Sequence, residues 1–363
     1  MPIISNDTST PSTPRFDFHL PDALQCGLPT EVRGIARDEV RLMVSNIYTD
    51  EIHHSQFKQL DDFLRAGDVL AVNTSGTLKA ALEVRDSDGQ TFRVHLSTKI
   101  RDNRWIIELR QVGKQGNERL HAPLQGQQLT LTTGGKIQIL EAYYDPQSPK
   151  SHLQLWIADF DLPLSMDQYL TQFGQPIRYH YLKEVYPSSY YQTVFARELG
   201  SAEMPSAGRA FTPQLVSRLV SKGIQIAPIL LHTGVASLEI DEKPYEEYYR
   251  VSALTAQLLN QARKDNRRII AVGTTVVRTL ESVTDRFGFS EPGEGWTDVY
   301  ITPQRGIFAA DGLITGFHEP KASHLLMLEA LAGRNHLKQT YQSAIEAGYQ
   351  WHEFGDLHLM LGH

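Results

Sequence analysis

Between residues 75 and 160 apolar and polar positions mostly alternate along the chain. The runs ALEVRD, TFRVHLS, RWIIELRQV, QLTLTT, KIQILEAYY and HLQLWIADF are short and rich in Val, Ile, Leu, Thr and aromatics. A period of two belongs to half-buried strands. SDGQ (87–90), RDN (101–103) and the pair Gly134-Gly135 stand between them as turn signals. Short strands at near-regular spacing predict a small antiparallel barrel or sandwich, read as a separate β domain inserted over 75–160.

Outside that region the texture differs. RLMVS (41–45) and VLAVN (69–73) predict strands, with DDFLRAGD between them. PQLVSRLVSKG (213–223) has helical spacing, opened by the N-cap Thr212 and by Pro213, and closed by Gly223. IQIAPILLHTG (224–234) and RIIAVGT (268–274) are near-continuous apolar runs and predict buried strands. Ser252 caps a helix over SALTAQLLNQARKDN, TVVRTLESV (275–283) predicts another, and ASHLLMLEALAG and NHLKQTYQSAIEAGY two more. Helices alternating with strands apolar on both faces predict a layered α/β main domain, formed by 15–74 and 161–363. The predicted fold class is therefore α/β, with a small antiparallel β-barrel domain inserted.

Composition narrows this picture only a little. The chain has 363 residues, 41% hydrophobic and 21% charged, which suits an ordinary globular protein of two domains. A net charge of −7 argues against attachment to nucleic acid by general basicity. A local patch would suffice, and 99–119 carries six Lys/Arg against three Asp/Glu around Trp105. That segment reads either as an RNA-facing patch or as the solvated face of a hairpin. The lone Cys26 leaves no internal disulfide and no cysteine cluster for a metal. Residues 1–14, MPIISNDTSTPSTP, lack a basic start and an apolar core, and predict a disordered tail in place of a signal peptide. No run approaches the roughly 18 apolar residues of a membrane span, so the expectation is cytoplasmic, with no membrane partner.

Ligands of open α/β sheets collect beyond the carboxyl ends of strands. Two such ends carry unusual residues: His232-Thr233-Gly234, and Gly273-Thr274-Thr275 leading straight into a helix. Free N–H groups and hydroxyls there suit a carboxylate or phosphate, although both tripeptides also serve as plain strand-end chemistry. In 293-GEGWTDVYI-301, Glu294, Trp296 and Asp298 alternate along one side of a strand. Such a row can grip an aromatic base with polar edges. In 316-GFHEPKASHLLML-328, His318, Glu319 and Lys321 precede a helix that Ser323 is placed to cap. Phosphate-binding and dinucleotide glycine loops, H-E-x-x-H and G-x-S-x-G are all missing from the sequence. Taken by themselves, the residues point to an α/β enzyme with a polar pocket at the sheet's C-terminal edge.

The segments RDEVRLMV, YYQTVFAR, PSAGRAFT, LHTG, AVGTTVVRTLES, GEGWTDVYITP, DGLITGFHEPK and LLMLEALAG, in this order, resemble the S-adenosylmethionine:tRNA ribosyltransferase-isomerase family of queuosine biosynthesis. The resemblance runs from FDFHLP (16–21) to FGDLHLML (354–361). It implies an α/β domain with an inserted β-barrel, no metal, S-adenosylmethionine as co-substrate and tRNA as partner. The implied reaction removes a proton from C5′, which the sulfonium acidifies, and adenine leaves. The amine of a 7-aminomethyl-7-deazaguanine in tRNA then attacks, methionine is expelled and an epoxide remains.

That resemblance assigns catalysis to His232, Asp298 and His318. It assigns substrate binding to Gln192, Ser206, Gly208, Thr233, Gly234, Thr274, Thr275 and Arg278, and to Glu294, Trp296 and Lys321. Thr274, Thr275 and Arg278 would hold the methionine carboxylate, Glu294, Trp296 and Asp298 a purine, and His318 with Lys321 the acceptor. The chain departs from the family where Ser206 stands for Thr, Arg209 for Leu and Ala210 for His. Thr74, Gly76 and Ala81 fall where the family has an Asp and two Arg. These departures keep open a small-molecule acceptor, or a non-catalytic protein binding S-adenosylmethionine or RNA.

Overall fold

The computed structural model describes residues 15–113, 116–120, 124–144, 155–178, 181–182, 184–235 and 245–362, without the side chains of 112, 113 and 116–119. The predicted tail over 1–14 lies outside the described residues. In chain order, α1 (Thr30–Arg33), β1 (Arg41–Asn46), β2 (Ile52–Gln56), α2 (Leu60–Phe63), β3 (Val69–Asn73) and β4 (Ser75–Thr77) come first. The insertion holds β5 (Ala81–Arg85), β6 (Thr91–Arg101), β7 (Arg104–Gly113), β8 (Gly116–Arg119), β9 (Gln128–Leu131), β10 (Lys136–Ala142) and β11 (Leu155–Asp161). Then follow α3 (Met166–Phe173), β12 (Glu198–Ser201), α4 (Pro213–Ser221), β13 (Gln225–Leu231), β14 (Glu247–Val251), α5 (Ala253–Lys264), β15 (Ile269–Val272) and α6 (Thr274–Val283). The last elements are β16 (Gly293–Thr297), β17 (Gly312–Gly316), α7 (His324–Ala332), α8 (Arg334–Glu346) and β18 (Leu357–Leu361).

Nine strands form one mixed sheet in the order β16-β14-β13-β3-β15-β17-β18-β1-β2. Its middle is parallel: β3 lies between β13 and β15, and β15 beside β17. Both faces of these strands are buried, so alternation vanishes from their sequences and they read as continuous apolar runs. In VLAVN, Val69 and Ala71 face one layer with α5, α6, α7 and α8, while Leu70 and Val72 face the other with Phe57, Phe211, Leu215 and Leu219. Strand β18, fully buried, runs antiparallel to β17 and parallel to β1, joining the two halves of the sheet. Strands β2, β14, β17 and β18 are not among the predicted elements. Their apolar runs are short, and pairing in the sheet decides them.

The second sheet has the order β11-β10-β9-β5-β6-β7-β8 and closes through a β11–β7 pairing. It is the expected antiparallel barrel, six strands round with β8 as an extension. Leu82, Val84, Phe92, Val94, Leu109, Leu131, Ile137 and Phe160 fill it, and Tyr169 and Leu170 of α3 pack on that core. Barrel strands begin at Ala81, whereas β4 pairs with β12. Within 99–113, Trp105 is buried in the barrel core, Arg104 pairs with Asp159 at 2.6 Å, and Arg110 with Glu108 at 2.8 Å. Trp105 is thus spent inside the barrel and both arginines on carboxylates of its own strands, and the side chains of 112–119 lie outside the described residues.

Capping follows the sequence at two of three helices. Thr212 Oγ1 accepts from Leu215 N at 3.2 Å, and Ser252 Oγ from Thr255 N at 3.1 Å. Ser323 makes no such bond. Its backbone is already helical (φ −59°, ψ −28°), with Leu326 N donating to the Ser323 carbonyl, so the hydroxyl is not positioned as a cap. Among the described residues no helix is long and apolar enough to cross a membrane.

Candidate active site

Beyond the carboxyl ends of β13, β15 and β17 lies a cavity of about 360 Å³, within the size range of small-molecule sites. Its floor is the turn from β15 into α6. Gly273 adopts φ +103°, ψ 152°, a conformation that residues with a Cβ rarely reach, and turns the chain directly into the helix. No side chain caps α6, so the N–H groups of Thr274 and Thr275 and their hydroxyls open on the cavity at the positive end of the helix. Ser206 and Ala207 approach from the turn before α4, Thr315 from the end of β17, His318 from the segment after it and His324 from the start of α7.

His318 and His324 stack with ring centroids 4.7 Å apart and planes 7° from parallel. His318 Nε2 bonds Thr315 Oγ1 at 2.9 Å, while His324 makes no side-chain hydrogen bond among the described residues. Burial pushes both imidazoles down, His318 well below its ordinary value and His324 to about 4, where the nearby Arg278 cation adds to the effect. Two rings face to face in a poorly solvated site cannot both hold a proton, and at neutral pH both are free bases.

Arg278 also borders the cavity, yet its guanidinium is spent on protein. It pairs with Glu247, and donates to the carbonyls of Val299, Tyr245 and Thr297 at 3.1 Å each. The other Glu247 oxygen accepts from Gly234 N at 2.9 Å. Four of its five N–H donors are thus met by protein acceptors, and Arg278 ties α6 to β14 and β16. Gly234 is fixed by this bond, and a Cβ there would fall 1.7 Å from the Tyr245 hydroxyl.

Of the residues singled out from sequence, Ser206, Thr233, Thr274, Thr275, Arg278 and His318 meet at this cavity. Glu319 and Ser323 border it as well, and the remaining ones are elsewhere. His232, next to Thr233 but turned the other way, bonds Ser75 Oγ at 2.8 Å and lies 3.7 Å from Glu198. Gln192 bridges the backbone N–H and carbonyl of Thr77 at 3.0 and 2.7 Å. Gly208 packs behind the loop, near Thr193 and Phe195. Glu294, Trp296 and Asp298 do alternate on one face, but it is the exposed face along the edge strand β16, where Glu294 accepts from Tyr248 at 3.1 Å. Lys321 pairs with Asp17 at 3.1 Å, and its backbone N donates to Phe16. Thr74 bonds the Ile229 carbonyl at 2.8 Å, Gly76 packs on Leu199, and Ala81 is buried at the barrel entrance.

Several cavity residues carry no signal in sequence. His324 stands in an apolar helix start. Tyr181 and His352, stacked at 4.0 Å, come from segments 171 residues apart, and Glu353 follows His352. His352 has φ +72°, an unusual conformation for a residue with a Cβ. Conversely, Asp50, His336 and Ser45 line up at 2.6 and 2.9 Å like a nucleophile triad, but Ser45 is fully buried and its hydroxyl also meets His358 at 2.7 Å. That row joins β1, β18 and α8 inside the core. Among the described residues no cluster of His, Cys, Asp and Glu is arranged to hold a metal.

The chain matches the family described as "Queuosine biosynthesis protein" over residues 13–360. It is 37% identical over 357 residues to the S-adenosylmethionine:tRNA ribosyltransferase-isomerase of Desulfitobacterium hafniense, covering 95% of this chain and 98% of that relative. The protein of the same name from Carboxydothermus hydrogenoformans is 34% identical over 359 residues, with the same coverage. Among solved structures, S-adenosylmethionine tRNA ribosyltransferase from Thermotoga maritima superposes with a TM-score of 0.53 at 28% identity, covering 95% of this chain and 99% of that one. A layered α/β domain, an inserted barrel and a cavity at the parallel strand ends thus come together with likeness along the whole chain, which belongs to the queuosine biosynthesis protein family.

Proposed function

We propose that this chain is an S-adenosylmethionine:tRNA ribosyltransferase-isomerase, moving the ribosyl group of S-adenosylmethionine onto a 7-aminomethyl-7-deazaguanine base in tRNA. The observation that carries the reading is the stacked, uncharged pair His318 and His324 beside the uncapped start of α6, in one cavity. The reaction begins by removing a proton from C5′, and a neutral imidazole can take it. The N–H groups and hydroxyls of Thr274 and Thr275 suit the methionine carboxylate, because a helix N-terminus favours an anion. Arg278 acts indirectly, by holding the α6 start against β14. Likeness to named relatives over nearly their full length supports both substrates. Ala210, Thr74, Gly76 and Ala81 replace polar family residues, but only Ala210 comes near the cavity, in a cleft that shares Ser206 and Glu353 with it.

The test is to incubate the protein with S-adenosylmethionine, with and without tRNA carrying the deazaguanine, and to follow adenine and methionine. Release of both that requires this tRNA is expected. Release that ignores tRNA, or binding without release, overturns the reading.

A further inference from the structure

Glu353 stands on the loop between α8 and β18, where the main cavity meets a small cleft of about 10 Å³ that includes Ser206, Arg209, Ala210 and His352. Its Oε1 is buried without a hydrogen-bond partner. The nearest cation, Arg209, is occupied: it pairs with Glu31, and donates to the Tyr190 carbonyl at 2.9 Å and Thr30 Oγ1 at 3.1 Å. Tyr181 and Tyr191 face the same carboxyl, and neither supplies positive charge. On its own loop, His352 stacks on Tyr181 and lies 3.8 Å from Glu319. Burial, opposed only by Arg209, pushes the Glu353 carboxyl up to about 8, so at neutral pH it keeps its proton. A protonated carboxyl with an orphaned oxygen, bordering a substrate cavity, is equipped to give a proton away.

We propose that Glu353 is the general acid that protonates adenine as it leaves S-adenosylmethionine. This rests on the reaction assigned above. When the base takes the C5′ proton, the electron pair released forms a C4′=C5′ double bond and breaks C4′–O4′; the oxygen's pair then forms a C1′=O4′ carbonyl and the bond from C1′ to adenine breaks. The Glu353 proton passes to an adenine nitrogen, so adenine departs neutral and Glu353 becomes a carboxylate. It recovers a proton when the acceptor amine forms its new N–C bond and loses one of its own. No oxidant or further reactant enters.

Glu353→Gln keeps the size and neutrality of the protonated side chain but has no acidic proton. Its affinity for S-adenosylmethionine, measured by calorimetry, should match the unaltered protein. Single-turnover adenine release with acceptor tRNA should fall by about 10²–10⁴-fold. In the unaltered protein that rate should decline as pH rises through about 8, and the alkaline limb should be lost in the variant. Glu353→Asp, which restores a carboxyl, should bring the limb back at a reduced rate. Adenine release by Glu353→Gln at the unaltered rate, or an alkaline limb that survives, overturns the proposal. If Glu353→Gln does not fold, Glu353→Asp decides by whether its limb moves with the altered carboxyl. Failure of the unaltered protein to release adenine would instead refute the reaction on which the proposal rests.

Discussion

The ion pair of Arg278 and Glu247 gives a sharp test of how the cavity is held. Both residues are buried, at 7% and 5% exposure; three more guanidinium N–H groups meet backbone carbonyls, and the second Glu247 oxygen accepts from Gly234 N. Arg278→Met strands the Glu247 carboxylate with one remaining donor, Gly234 N, and leaves three carbonyls without their guanidinium. Breaking a buried pair from one side costs about 3–5 kcal/mol, because the surviving charge stays desolvated. About 4 kcal/mol is therefore expected for Arg278→Met. Glu247→Gln should cost about 3 kcal/mol, since the new amide oxygen can still accept from Gly234 while the cation is left unpaired. In the double variant no buried charge remains, and about 2 kcal/mol of the summed loss should return. Urea unfolding followed by circular dichroism, run as a double-mutant cycle, measures all three. Losses that add to within about 0.5 kcal/mol would refute the coupled pair. The same cycle separates tying from ligand binding. If Arg278 held the methionine carboxylate directly, Glu247→Gln would free the guanidinium and tighten S-adenosylmethionine binding. The geometry predicts no tightening.

Three further outcomes follow from the geometry. Gly273→Ala meets only ordinary contacts but must hold φ +103°, so about 1–3 kcal/mol of stability should be lost, together with weaker S-adenosylmethionine binding; an unaltered thermal midpoint would contradict it. For His324, the folded imidazole is pushed down to about 4, so the unfolded chain binds more protons as pH drops from about 6.5. The stability it contributes is complete above that pH and lost as pH falls through the window toward 4; His324→Leu should lose less stability between about pH 7 and pH 5 than the unaltered protein, and parallel profiles would count against burial as the cause. Trp296 is half exposed on the edge strand, away from the cavity, so Trp296→Ala should leave S-adenosylmethionine affinity unchanged in a titration, whereas a tenfold loss would restore a purine-gripping role.

What the sequence could determine was whatever depends on neighbours in the chain. The alternation in ALEVRD and TFRVHLS, the continuous runs VLAVN and RIIAVGT, the caps Thr212 and Ser252 and the glycine turn into α6 are all local, and the structure follows them. The motif GTT lines the cavity floor, because a strand running directly into a helix exposes the same N–H groups in any fold. Tertiary structure decided the rest. His232 and Thr233 are adjacent, but successive residues at a strand end point to opposite sides, so one leaves the cavity and the other lines it. Trp296 sits on the outer face because β16 closes the sheet edge, a position no local pattern specifies. Arg278 looks like a ligand donor until Glu247 and three carbonyls from other segments take four of its five N–H groups. His324 and Glu353 were invisible for the complementary reason: an imidazole or carboxyl acquires its chemistry from burial and from the partners it lacks, and both are set by segments distant in the chain.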